Sequence, residues 1–185
     1  NWQEAKNSVC LMTFNDTKYS YYCTGALVNN VREDGTPYFL TANHCISTDT
    51  EAGTLVTYFG YENSTCSSSD ASKKKTLAGA TLKAANSYSD FSLLLLKEYP
   101  STDYNPFYSG WSAAGDLPAS GAGIHHPQGT PKCIAVDNNQ VKSYPYSTSW
   151  TDDAGKVTST TVANSHWWVI FAEGDTEAGS SGSPF

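Results

Sequence analysis

Residues 89–96 read SDFSLLLL, an aspartate followed by a short run that is apolar at five of its six positions. A run of this length predicts a buried β-strand over 91–96. Similar segments, rich in aromatic and β-branched residues and separated by turn formers, lie on both sides, at residues 8–14, 19–28, 36–41, 54–61, 76–84, 121–125, 133–136 and 157–171. Helical periodicity is almost absent. The pattern therefore predicts an all-β fold, a sandwich or a barrel.

Two polar stretches divide this series of strands. CSSSDASKKK, residues 66–75, is typical of an exposed loop. EYPSTDYNPFYSG, residues 98–110, follows the apolar strand and is the natural boundary between two halves. We therefore expect one unit over residues 1–100 and a second over 101–185. Trp167 and Trp168, in the last segment, are expected to be core and strand residues.

Composition excludes several classes of function. The chain of 185 residues carries 11 Lys and Arg against 18 Asp and Glu, a formal net charge of -7. Such a surface repels phosphate groups, which disfavours binding to nucleic acid or to an anionic membrane. No apolar run approaches the roughly 18 residues that cross a bilayer. With 39% hydrophobic residues, the chain is expected to fold rather than stay disordered.

The cysteines favour an exported protein. They are widely spaced and form no CxxC pair, which disfavours a zinc ribbon or a thioredoxin-type redox site: Cys10, Cys23, Cys45, Cys66 and Cys133. Disulfides in an oxidising compartment are the better interpretation, so we expect a secreted protein. Five is an odd number, and spacing alone leaves the pairing open.

Three motifs carry candidate chemistry. FLTANHC, residues 39–45, runs from an apolar strand into a turn at His44, and Asp90 directly precedes the apolar strand over 91–96. EAGSSGSPF, residues 177–185, sets Ser181 between Gly179 and Gly182. Each motif alone has an ordinary structural explanation: a histidine at a strand end, an aspartate in a turn, and a flexible linker.

Together the three motifs indicate nucleophilic catalysis. Serine is a poor nucleophile until a positioned imidazole takes its proton and a carboxylate orients that imidazole. Glycine beside the serine permits backbone conformations in which two N–H groups converge on one point, as an oxyanion hole requires. The order His44, Asp90, Ser181 is the order that one family of such enzymes uses.

That family is the chymotrypsin-like serine peptidases, which TANHC, DFSLL and GSSGSP resemble. Within it the chain most resembles the bacterial lysyl endopeptidases, through segments spread over its whole length: CTGALVNN, YFLTANHC, NSTC, SDFSLLLL, GWSAAG, GIHHPQG and TEAGSSGSP. The resemblance implies two six-stranded antiparallel β-barrels. It also implies His44 as general base, Asp90 as its orienting carboxylate, Ser181 as nucleophile and the N–H groups of Gly179 and Ser181 as the oxyanion hole. No metal or organic cofactor is expected.

The same resemblance bears on the cysteines and on activation. It implies a disulfide between Cys23 and Cys45, and a partner for Cys66 upstream of Asn1. Cys10 and Cys133 match no family cysteine, and a bond between them is one pairing that the sequence leaves open. Most animal members of the family carry an aspartate before the nucleophile, which receives the N-terminal ammonium on activation. Ser180 stands there in this chain, as in the lysyl endopeptidases, so that ion pair is not expected.

Substrate specificity is left open. In this fold the strands that line the specificity pocket follow the nucleophile, so we expect an incomplete second barrel, with a C-terminal segment absent or present as another chain. Asp175 and Glu177 are candidate substrate-binding residues, because a carboxylate at the pocket floor would favour Lys or Arg. An exposed aspartate in a turn is the alternative. Trp150 resembles a tryptophan that stacks near the catalytic histidine, with simple packing as its alternative.

The sequence thus predicts a secreted serine endopeptidase that cleaves protein or peptide substrates through an acyl-enzyme, with a possible preference for Lys or Arg. The alternative is a secreted, non-catalytic β-domain, or an inactive peptidase fragment, that binds protein or carbohydrate. The aromatic-rich, acidic composition suits this alternative equally well. Only the peptidase hypothesis explains why three catalytic motifs occur together.

Overall fold

The computed structural model describes residues 2–151 and 155–185. The described chain is almost entirely strand and loop, which confirms the all-β prediction. Its strands are β1 (Val9–Asn15), β2 (Ser20–Val28), β3 (Tyr38–Ala42), β4 (Val56–Tyr58), β5 (Thr76–Ala78), β6 (Ala80–Asn86), β7 (Phe91–Leu96), β8 (Gly121–His125), β9 (Cys133–Asp137), β10 (Lys142–Ser143), β11 (Ser149–Thr151), β12 (Val157–Thr160) and β13 (Trp167–Trp168). No helix among the described residues is long and apolar enough to cross a membrane.

The first seven strands form one antiparallel sheet, in the order β5-β4-β1-β2-β3-β7-β6. Alternate residues of β7 point inward, so that Ser92, Leu94 and Leu96 are buried, as the period of a strand requires. The core of the sheet is built from large apolar side chains contributed by different strands and loops, chiefly Met12, Leu27, Phe39, Phe59 and Leu94.

The pairing of β3 with β7 matters most for the site. Ala42, the last residue of β3, lies opposite Phe91, the first residue of β7. Because the strands are antiparallel, the segment that leaves β3 and the segment that enters β7 meet at the same end of the sheet.

The remaining six strands form three separate two-stranded sheets, β8 with β9, β10 with β13, and β11 with β12. Trp167 and Trp168 of β13 are about half exposed, so the expectation that they lie in a core is wrong.

Two strand predictions are wrong in extent. The single strand expected over 157–171 is two short strands, because the chain turns away after β12 and Asn164 adopts a left-handed backbone with φ +61°. The strand expected over 76–84 is interrupted at Gly79, whose φ is +78°.

The sequence also missed a short helix, α1 (Asp49–Thr54). Thr48 caps it by accepting from the Glu51 N–H, and the Glu51 carboxylate accepts in return from the Thr48 N–H.

The disulfide in the described chain joins Cys23 in β2 to Cys45 just after β3. A bond between Cys10 and Cys133 is absent, since Cys10 is buried in β1 while Cys133 is exposed at the start of β9. Burial raises the pKa of the Cys10 thiol to about 12, which keeps it protonated and unreactive. Cys66 is a thiol on the surface.

Candidate active site

His44 and Asp90 meet at the shared end of β3 and β7. Nδ1 of His44 lies 2.7 Å from Oδ2 of Asp90, and the His44 backbone N–H donates to Oδ1 over 2.9 Å. The Asn43 N–H donates to the Asp90 carbonyl over 3.1 Å. Asp90 holds a left-handed backbone with φ +51°, which turns its carboxylate towards the histidine. Its side chain is only 9% exposed, and its two oxygens are satisfied by the ring and the backbone of one residue.

The outer face of the His44 ring is covered by Trp150 of β11. The two ring centroids are 5.3 Å apart and the planes differ by 15°, which is a stacked arrangement. Trp150 also contacts His166, at a centroid distance of 6.0 Å. Together with the bond from Asp90, this stack restricts both the tilt and the rotation of the imidazole.

Ser181 lies on a tight turn whose glycines have backbone conformations that other residues rarely adopt. Gly179 has φ +94° and Gly182 has φ +84°. A Cβ on Gly182 would collide with the Thr41 hydroxyl and the Thr24 carbonyl, so this position requires glycine for space as well as for φ.

Thr24 of β2 anchors the same turn. Its N–H donates to the Ser181 carbonyl over 2.9 Å, and its hydroxyl donates to the Gly179 carbonyl over 2.8 Å. Thr24 follows Cys23, whose disulfide holds the residue after His44. The loop that carries the histidine and the loop that carries the serine are therefore attached to neighbouring residues of one strand.

The N–H groups of Gly179 and Ser181 have no described acceptor. Because a peptide unit is planar and trans, each N–H points opposite to the carbonyl of the preceding residue. The Ala178 carbonyl accepts from the Gln128 N–H over 2.6 Å, and the Ser180 carbonyl accepts from the Ser183 N–H over 3.1 Å. These two bonds set the directions of the two amides, which are available to bind an oxyanion.

A cleft of about 700 Å³ joins these groups. His44, Trp150, Gly179 and Ser181 line it, and Asp90 supports the histidine from behind. No hydrogen bond joins the Ser181 hydroxyl to His44 in the described part of the chain. The cleft continues past the disulfide along an aromatic and polar wall that includes Phe14, Asp16, Lys18, Tyr19, Tyr21, Tyr22, Ser47 and Glu51.

Asp175 and Glu177 do not line this cleft. Both residues are exposed. A carboxylate oxygen of Asp175 accepts from the Thr176 N–H over 2.8 Å, and the Glu177 carboxylate accepts from the side chain of Gln128. The structure therefore gives Asp175 the surroundings of a surface turn rather than those of a pocket floor.

Two adjacent histidines lie buried beside the turn of Ser181. Nδ1 of His125 is 2.8 Å from the Ser180 hydroxyl, and Nδ1 of His126 donates to the Thr130 carbonyl over 2.9 Å. His126 also stacks on Tyr61 at a centroid distance of 5.8 Å. Burial lowers the pKa of both histidines, that of His126 to about 3. Both rings are neutral at pH 7.

Acid is expected to destabilise the fold through His126. The folded protein keeps this ring neutral, whereas the unfolded chain takes up a proton below its ordinary pKa of 6.5. Stability is therefore complete above pH 6.5 and is lost as the pH falls towards 3. Between pH 7 and 4.5 the free energy of unfolding should fall by roughly 2 kcal/mol on account of this group. Urea unfolding at both pH values measures it, and the His126→Asn variant should lack this part of the loss. An equal loss in both proteins would contradict the prediction.

No group of three or more His, Cys, Asp or Glu side chains that could hold a metal ion occurs among the described residues. The chemistry available at this site is that of an imidazole, a carboxylate, a hydroxyl and two backbone amides.

Residues 1–185 match the family model described as lysyl endopeptidase, C-terminal domain. A curated lysyl endopeptidase of Pseudomonas aeruginosa is 36% identical over 124 residues. The match takes in 64% of this chain and 26% of that protein, so this chain spans about a quarter of the length of its relative.

Solved structures show the fold. The active form of the Rv3671c protease from M. tuberculosis matches with a TM-score of 0.56 at 16% identity, over 97% of this chain and 64% of that one. The thermostable serine protease AL20, from an extremophilic microorganism, matches with a TM-score of 0.56 at 11% identity, over 96% and 83% of the two chains. Deg5 matches with a TM-score of 0.56 at 13% identity, over 99% and 75%. These are trypsin-like serine protease structures.

Proposed function

Because the chain belongs to the lysyl endopeptidase C-terminal domain family of serine proteases, we propose that it is a serine endopeptidase that hydrolyses peptide bonds in proteins or peptides. One observation carries the proposal. The imidazole of His44, held by the Asp90 carboxylate at 2.7 Å, shares a cleft with Ser181 and with two amides that have no described acceptor.

In this mechanism Nε2 of His44 takes the proton of the Ser181 hydroxyl as the oxygen attacks the substrate carbonyl. The negative charge that develops on the carbonyl oxygen is stabilised by the N–H groups of Gly179 and Ser181. His44 then gives the proton to the leaving amine, which departs and leaves an acyl-enzyme on Ser181. Water, deprotonated by the same imidazole, releases the acid product. Asp90 keeps the imidazole in the tautomer that presents a free Nε2 and stabilises its charged form.

Trp150 is proposed to contribute to substrate binding from its position over His44. Its ring forms part of the cleft wall and shields one face of the imidazole from water. A substrate segment that enters the cleft would pack against the same indole.

We further propose the division into a unit over residues 1–100, which carries His44 and Asp90, and a unit over 101–185, which carries Ser181. The seven-stranded sheet ends at Leu96, and every later described strand belongs to a two-stranded sheet.

Three apolar residues near the end of the described chain are each about half exposed or more: Trp167, Trp168 and Ile170. This exposed apolar surface supports the proposal that a further segment or a second chain completes the second barrel. The Cys23–Cys45 disulfide supports secretion.

Preference for Lys or Arg is proposed from the name of the relative, lysyl endopeptidase. The loop over 66–75 offers a test within the chain itself, because it contains three consecutive lysines. Lys73 lies 4.7 Å above the Tyr61 ring, and Lys75 donates to the Asp103 carbonyl over 2.8 Å. All three lysines are exposed, and Lys74 has no described side-chain contact.

If the enzyme selects lysine, self-digestion is expected to begin after Lys74, since the side chains of Lys73 and Lys75 are held against the protein. Mass spectrometry of timed digests identifies the first cut, and Lys74→Gln should slow it at least tenfold. Arg32, the single arginine, provides the internal comparison, because its side chain is exposed although it forms an ion pair with Asp34. The Asp34→Asn substitution removes that ion pair and makes the two sites comparable. A first cut after Arg32 would show that lysine is not preferred over arginine.

Labelling with a fluorophosphonate, which reacts with activated serines, tests the proposed function directly. We expect one adduct on Ser181 in the natural protein and none after the His44→Ala substitution. A natural protein that takes no label would instead favour the non-catalytic hypothesis, a β-domain or inactive fragment that binds protein or carbohydrate.

A further inference from the structure

The turn that carries Ser181 is held by three separate segments, and the buried residue in its middle is Ser180, which is 5% exposed. The Ser180 hydroxyl accepts from the Glu177 N–H over 3.1 Å and lies 2.8 Å from Nδ1 of His125. His125 is itself only 1% exposed. A contact between two buried polar groups of this kind stabilises one arrangement of the backbone, because breaking it leaves the buried ring of His125 without a described hydrogen-bond partner.

The hydroxyl of Ser180 has one proton, and the His125 ring is its nearest described acceptor. We therefore assign the hydroxyl as donor to Nδ1, which leaves the proton of the neutral ring on Nε2. Burial lowers the pKa of His125, which agrees with a neutral ring.

The anchors from outside the turn bind two of its peptide units and not the unit between them. Thr24 binds the carbonyls of Gly179 and Ser181, which fixes the peptide units 179–180 and 181–182. The unit between Ser180 and Ser181 contains the Ser181 N–H. Its carbonyl accepts only from the Ser183 N–H of the same turn, among described donors, over 3.1 Å. Apart from this bond within the turn, no described hydrogen bond holds the orientation of the unit.

We propose that His125 is a positioning residue, which through its hydrogen bond to Ser180 keeps the Ser181 amide directed at the oxyanion. This inference rests on the proposed function. His125 does not touch the substrate. Its hydrogen bond fixes the position of the Ser180 side chain and so the orientation of the Ser180 Cα. The peptide unit that contains the Ser181 amide extends from this same Cα. In most animal relatives an ion pair on the residue before the nucleophile is expected to hold this turn, and here a neutral hydrogen bond would serve instead.

Two variants of His125 separate hydrogen bonding from packing. His125→Asn keeps a polar atom close to the place of Nδ1, whereas His125→Leu has the same branching and no polar atom. In the full natural protein that contains this chain, we expect His125→Leu and Ser180→Ala each to lower kcat by roughly 10- to 100-fold. This is part of what losing an oxyanion donor costs. KM should change by less than about threefold, and His125→Asn should stay within about fivefold of the natural kcat.

Affinity for a peptide aldehyde provides a readout that a purely structural role would not move. The aldehyde adds to Ser181 and places an oxyanion on the same amides, so its affinity should weaken by the same factor as kcat. The affinity of the corresponding peptide amide, which forms no oxyanion, should not change. The double variant His125→Leu with Ser180→Ala should be no slower than the slower single variant, because both remove one hydrogen bond.

The outcomes distinguish this inference from the proposed function. Fluorophosphonate labelling of the natural protein, and its loss in Ser181→Ala, tests the proposed function alone. The inference is overturned if labelled, folded His125→Leu keeps kcat within threefold, or if His125→Asn loses as much activity as His125→Leu. If His125→Leu does not fold, Ser180→Ala decides with the same thresholds for kcat and aldehyde affinity.

Discussion

Replacing Ser181 by alanine is expected to lower kcat by about 10⁶-fold while leaving the fold intact. The substitution removes the only atom that can form the acyl-enzyme, and the residual rate comes from substrate binding and the oxyanion amides. The side chain of Ser181 has no hydrogen bond to another described residue, so its loss should not change thermal stability measurably. Peptide hydrolysis and a melting curve on the same sample measure both quantities.

Ser69→Ala is the matched control, since Ser69 is an exposed serine of the loop over 66–75. Its activity should equal that of the natural protein. A Ser181→Ala variant that retains more than about one per cent of the natural kcat would show that another group is the nucleophile.

The second large effect is expected from Asp90→Asn, which should lower kcat by about 10⁴-fold with little change in KM. The natural carboxylate accepts from both the ring and the backbone N–H of His44. An amide can present an N–H to Nδ1 in place of an acceptor, which favours the tautomer with its proton on Nε2. That tautomer cannot take the proton of Ser181, although the geometry of the site is nearly unchanged.

Steady-state kinetics of Asp90→Asn beside Asp116→Asn provides the comparison, because Asp116 is an exposed aspartate of a loop. Asp116→Asn should be fully active. A fall of less than tenfold in Asp90→Asn would mean that the Trp150 stack alone orients His44, and the assignment of Asp90 as the orienting carboxylate would be wrong.

The sequence predicted those parts of the fold that local pattern determines. The strand over 91–96 has the bounds of β7, because an apolar run between turn formers is a local signal. The strand expected over 157–171 is wrong in extent, because the left-handed turn at Asn164 divides it. Aromatic residues such as Trp167 favour strands without determining burial, and here the indole is exposed. The helix α1 has only six residues, too few for helical periodicity, and its one signal was the pair Thr48 and Glu51.

The residues that we propose to react could be named from the sequence, because His44, Asp90 and Ser181 stand in recognisable motifs. The residues that hold them in place could not. The roles of Thr24 and His125 depend on contacts that span 155 and 55 residues of sequence. Contacts of this kind arise from packing of the whole fold, and no local pattern around a threonine in a strand or a histidine pair in a turn distinguishes them.

The attachment of both catalytic loops to Cys23 and Thr24 has a mechanical consequence. Cys23 reaches the loop of His44 through a covalent bond, and Thr24 reaches the loop of Ser181 through two hydrogen bonds. The separation of His44 and Ser181 is therefore set by two consecutive residues of strand β2. Movement in parts of the chain that do not contact this span can leave that separation unchanged.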